Sequence, residues 1–89
     1  MITSRPFDAQ EVAWIAKILG IADEVDLDQL RRGMAVELEH GRRDPLTDVT
    51  NDDPLLTAKI ALAHLREMPD YYDRLGRMEA EGRSENRDA

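Results

Sequence analysis

Residues 54–67 read PLLTAKIALAHLRE, the most apolar stretch of the chain, and the way it must be covered decides the fold. Asp53 followed by Pro54 is a helix start, an N-cap acid and then a proline at the first helical position, where no backbone N–H is needed. On a helical wheel Leu55, Ala58, Ala61, Leu62 and Leu65 cover one arc, and Leu56, Ile60 and Ala63 cover a second. A helix that is apolar on two sides asks for neighbours on both. The stretch is therefore predicted to be the central, most buried rod of an all-α bundle.

Working outward, residues 42–53, RRDPLTDVTNDD, hold Pro45 and a cluster of Asp, Asn and Thr, the composition of an ordered turn. Before it, Asp26 and Gln29 have the spacing of a capping box, with Val25 and Leu30 as the flanking hydrophobic staple. Leu27, Leu30, Met34 and Leu38 then form one stripe of a helix over about 27–40, which Gly41 is expected to stop. Gly33 falls in the middle of that helix. A glycine there costs roughly 1 kcal/mol relative to alanine, and close approach of another helix is the expected return. The same grammar opens a first helix over about 9–19. Asp8 and Glu11 make the box, Phe7 and Val12 the staple, and Val12, Ile15, Ile18 and Leu19 the stripe, with Gly20 as the left-handed stop.

After residue 67, Pro69 forces a kink or a restart. Tyr71, Tyr72, Leu75 and Met78 give a fourth amphipathic stretch over about 70–80, and 82–89, GRSENRDA, reads as a mobile tail. The expectation is one domain over 1–81, a compact bundle of four short helices.

Composition narrows the function classes. With no cysteine, the chain offers no disulfide and no thiolate metal site. The opening, MITSRPFDAQ, lacks the basic and apolar regions of a signal peptide, and no apolar run has the length of a membrane span, so a cytoplasmic setting is expected. A net charge of −7 disfavours a phosphate-backbone binder. An acidic mimic of nucleic acid would spread its carboxylates along one face, and the interspersed arginines argue against that.

The stretch VELEHG (36–41), the loop DPLTDVTNDDP (44–54) and the run KIALAHLREMPDYYDRLGRME (59–79) together resemble a small helical domain family of bacteria and their phages. The likeness runs over about 27–81, and the capped first helix fits it as well. What it implies is a stand-alone or appended helical domain, often in phage or mobile-element contexts, with no settled activity.

Four side chains suggest metal chemistry. Glu37 and His40 are three apart on one helix, as are His64 and Glu67 on the next, and an E-x-x-H step puts both groups on one face. If the two helices pack antiparallel and flush, His64 faces a point near residue 30, about 15 Å along the axis from His40 at 1.5 Å per residue. A site holding both histidines then needs a large slide of the helices or a second subunit, and a divalent transition metal is the alternative to no cofactor at all. His40 in a last helical turn and His64 at the edge of an apolar arc also have ordinary structural explanations. Asp44, Asp48, Asp52 and Asp53 put four carboxylates in one loop, but the ligand spacing and central glycine of a calcium-binding loop are missing.

On the wheel Glu37 lies beside Leu30 and Met34 at the margin of the buried stripe, where a carboxylate wants a partner. Flush packing offers Lys59. Tyr71 and Tyr72 straddle two faces, one for the core and one for the rim. Catalysis has little footing: the serines, Ser4 and Ser84, fall near the ends, and no phosphate-cradling glycine loop is present. The reading that emerges is a non-catalytic module binding another protein or itself, as a monomer or small homo-oligomer. Its expected contact surface is Gly33, Val36, Glu37 and His40, with Tyr72 as a further anchor. Val36 lies opposite the main stripe of its helix and needs a neighbour, either a partner or another helix of the chain.

Overall fold

A computed structural model describes the backbone of residues 7–88 and the side chains of residues 7–83. It has four helices, α1 Ala9–Leu19, α2 Leu27–Arg42, α3 Pro54–Glu67 and α4 Tyr71–Asp88, with no strand among the described residues.

The helix starts follow from local chemistry. Asp8 accepts from the Glu11 amide at 2.8 Å while Glu11 Oε1 accepts from the Asp8 amide at 3.1 Å, a complete capping box. Asp26 caps α2 through the Gln29 amide, 2.9 Å. Asp53 caps α3 by accepting from two amides, Leu55 at 2.8 Å and Leu56 at 3.0 Å. Gly20 ends α1 in the left-handed region, φ 73°. Met68 is extended, φ −153° and ψ 104°, the conformation a following proline imposes, so the chain restarts at α4 instead of kinking.

Two expected boundaries move. Gly41 does not stop α2. The helix passes through it to Arg42, and Gly41 is buried under the loop, where an added Cβ would lie 3.2 Å from Asp48 Oδ1. Its lack of a side chain lets the 43–53 segment fold against the helix end. At the other end, α4 continues past residue 80 to Asp88, since no proline or left-handed glycine interrupts it. The side chains of 84–89 in the expected tail lie outside the described residues, as does the backbone of Ala89.

The core is one cluster: Phe7, Val12, Ile15 and Ala16 from the first helix and its staple, Ile21 after it, Leu30, Met34 and Leu38 from α2, Ala58, Ala61 and Leu65 from α3, and Tyr72 from α4. The largest interface joins α2 to α3. There α3 presents small side chains, Thr57, Ala58 and Ala61, to the larger ones of α2, which brings the two axes close.

This choice of face corrects the expectation of a helix buried on both sides. One arc of α3 packs inward. The second does not: Leu56 is 45% exposed, Ala63 is exposed and Ile60 is only partly covered. Similarly, Ile18 and Trp14 of α1 point outward, leaving Val12, Ile15 and Ala16 as its buried face.

Candidate functional site

Two adjoining features bring together several of the polar residues singled out by the sequence, and Glu37 belongs to both. The first is a cluster where α2, α3 and α4 meet. The Tyr72 hydroxyl donates to Glu37 Oε2 at 2.9 Å, and His64 Nε2 lies 3.6 Å from the same oxygen. Tyr71 stacks flat on His64, with centroids 4.3 Å apart and planes 8° from parallel, and meets Tyr72 edge-on at 4.9 Å. Tyr72 is only 3% exposed. Burial, followed by the neighbouring Glu37 charge and the hydrogen bond to it, pushes the Tyr72 hydroxyl above its ordinary value, so it remains a proton donor to the carboxylate.

Gly33 makes this cluster possible. A Cβ at that position would fall 2.7 Å from Tyr72 Cζ, inside the ring's van der Waals surface. The close approach anticipated for Gly33 is therefore to the fourth helix of the same chain.

The second feature is a groove of about 260 Å³ beside the cluster. Glu37, His40 and Gly41 of α2 form one wall, Thr47, Val49 and Thr50 of the loop another, and Ile60 of α3 closes it. Val49 is 73% exposed, whereas Thr50 is 3% exposed and its buried Oγ1 has no hydrogen-bond partner among the described residues.

Several expectations change in light of this geometry. The partner of Glu37 is not Lys59. Lys59 is exposed and forms no ion pair among the described residues. The flush-packing estimate fails because the 43–53 segment wraps the end of α2, with Asp48 on Gly41, instead of running straight across. Helix α3 is thereby slid along α2, so that His64 meets Glu37 instead of the region of residue 30, a displacement of roughly 10 Å at 1.5 Å per residue. Leu55, in the first turn of α3 and on its inward arc, is left 36% exposed.

The proposed metal ligands separate. Glu37 and His64 come together, but His40 instead lies 3.9 Å from Glu79 of α4, and Glu67 is on the exposed side of α3. Among the described residues no group of three or more His, Asp or Glu side chains is placed to hold a metal ion. In the acidic loop each carboxylate has a structural partner. Asp44 accepts from the Leu46 amide, Asp48 from the Asn51 amide and Asp53 from the start of α3, while Asp52 pairs with Arg42 at 3.0 Å. Asn51 and Asp52 adopt positive φ, 49° and 65°, as these two residue types tolerate better than most.

The anticipated contact surface is largely covered from within. Gly33 and Tyr72 are buried against each other, Val36 packs partly on the core, and the Glu37 side chain is 14% exposed. The neighbour Val36 and Gly33 required is supplied by the chain itself, leaving only His40 half exposed. What sequence reasoning missed is the groove. The second arc of α3 contained its Ile60, but nothing in the composition of the loop marked Thr50 as buried or Val49 as aligned with that arc.

Among the described residues no helix is long and apolar enough to cross a membrane. Comparison with curated proteins gave no match, and comparison with solved structures gave none either. A family model described as Protein of unknown function (DUF5661) matches residues 9–81, from the first residue of α1 through most of α4, including every residue of the cluster and the groove. The chain is a member of that family.

Proposed function

We propose that this chain is a non-catalytic protein-interaction module whose docking face is the outer side of α3, continued onto the loop by Val49. The observation that supports it most directly is the uncovered second arc, Leu56, Ile60 and Ala63, on a helix whose sequence is apolar on two sides. Leaving such side chains in water forfeits about 25 cal/mol for each Å² of apolar surface that a partner would cover. Contiguous exposed apolar surface on a small domain is a common mark of an interface. The resemblance of residues 27–81 to a domain of bacteria and phages supports an accessory role in a mobile-element setting.

Leu56→Asp and Ala63→Glu test the reading in two steps. As changes on a surface, each should alter stability by no more than about 0.5 kcal/mol, a shift of roughly 2–4 °C in Tm for a domain this small. A partner trapped by a photo-crosslinker at position 63, once purified, should bind both variants at least tenfold more weakly than the native chain. The proposal is refuted if Leu56→Asp unfolds the protein as a core substitution would, or if the purified partner binds the variants as tightly as before.

A further inference from the structure

We infer that the groove beside Glu37 receives a cationic side chain, an arginine of the partner segment that docks on the outer face of α3. The inference rests on the docking reading above and adds the chemistry of the partner.

The argument is one of charge complementarity. Glu37 contributes a carboxylate that is largely withdrawn from solvent yet lines the groove. The groups facing it are His64 from α3 and Tyr72 from α4, both at its Oε2, and no Lys or Arg pairs with it among the described residues. Gly41, on the same wall, belongs to the C-terminal end of α2, where the aligned peptide dipoles leave partial negative charge. The two arginines of that end are turned to other work, Arg42 to Asp52 at 3.0 Å and Arg43 to Glu39 at 3.0 Å.

Thr50 is an independent observation in the same place. Thr50 lines the groove, and its hydroxyl, withdrawn from the surface, has no hydrogen-bond partner among the described residues, a costly state that a turn of the side chain toward an arriving donor would relieve. A guanidinium carries five N–H donors on a plane, enough to reach a carboxylate and a hydroxyl together, and its aliphatic stem suits a channel walled by Val49 and Ile60. Apolar side chains of the same partner segment would continue over Ile60 onto Leu56 and Ala63. The occupant is thus a basic amphipathic segment, with its positive charge set within its apolar face instead of opposite it.

Two small probes separate this claim from the docking reading. n-Butylguanidinium reproduces the arginine side chain, and n-butylurea is its neutral counterpart of the same shape. Titrated into the isotopically labelled full chain, the guanidinium should give saturable shifts at Val49, Thr50 and Ile60, and should bind at least tenfold more tightly than the urea. Glu37→Gln, which keeps an acceptor for Tyr72, should remove that difference. Thr50→Val leaves the Tyr72 bond untouched and should weaken the guanidinium roughly fivefold, the worth of one ordinary hydrogen bond. This second variant keeps the test decisive if Glu37→Gln folds poorly.

Equal binding of the two probes would overturn the inference while leaving an apolar groove in place. So would a native preference for the guanidinium that survives in the well-folded Glu37→Gln protein. No saturable shift at up to about 0.1 M probe, far weaker than the millimolar range of a minimal contact, would also overturn it. In each case the docking face would still stand or fall separately, on the behaviour of Leu56→Asp toward the purified partner.

Discussion

Replacing Gly33 with alanine sets two effects of opposite sign against each other. In an exposed helix interior the change stabilises by roughly 1 kcal/mol, because alanine is the better helix former. Here the new methyl group would lie 2.7 Å from Tyr72 Cζ and closer still to Cε2, below any ordinary contact distance. The ring must retreat by about 1 Å, a shift over which each contact it leaves behind loses a quarter to a half of its dispersion energy. Retreat is hindered, since Tyr72 is buried, Tyr71 packs edge-on against it, and its hydroxyl is tied to Glu37 at 2.9 Å. Overpacking of this kind costs about 1–3 kcal/mol, and stretching a hydrogen bond to a charged group adds to it. The expected net effect of Gly33→Ala is a destabilisation of about 1–3 kcal/mol, or roughly 4–24 °C in Tm for a domain of this length. Urea and thermal unfolding measure it directly. The decisive arm is a double-mutant cycle with Tyr72→Leu, in which the obstruction is removed and Gly33→Ala should turn stabilising. A stabilising Gly33→Ala in the native background, or the same loss in both backgrounds, would refute the account of why a glycine stands there.

Tyr72→Phe removes the donor to Glu37 and should cost about 1.5–3 kcal/mol in urea unfolding. A loss below half of one would mean that the carboxylate is satisfied from the groove side. Arg32, and after it Gln29, holds Asp73 below the usual carboxylate range, and Arg66 does the same for Glu24. Both groups contribute stability above their ordinary values of 3.8 and 4.5, and that contribution is lost as pH falls through their lower folded values. Thermal midpoints from pH 6 down to pH 2 should therefore fall less steeply in Asp73→Asn and Glu24→Gln than in the native chain, and equal slopes would count against these pairs. The Arg66–Glu24 bridge, at 2.5 and 2.9 Å, is exposed, so its share should shrink further in molar salt. Gly20→Ala puts a side chain at φ 73° and should cost about 1–2 kcal/mol with no change in the core. An unaltered Tm would show that α1 ends in some other conformation.

The sequence alone determined where three of the helices start and where the first one stops. The starts at Asp8, Asp26 and Asp53 and the left-handed stop at Gly20 are made by groups within four residues of one another, so the information lies in the local spacing of residue types. Only the tertiary structure decided which of two comparable apolar arcs α3 buries, and against which stretch of α2. Hydropathy barely separates the arcs. Closeness of approach does, because Thr57, Ala58 and Ala61 admit the larger side chains of α2 while Leu56 and Ile60 would hold it off. The same holds for Glu37, given to His64 and Tyr72 instead of Lys59 by a slide that depends on how the loop folds over Gly41. Contacts between distant segments are set by the shapes of surfaces that exist only once the helices have met, and no spacing along the chain records them.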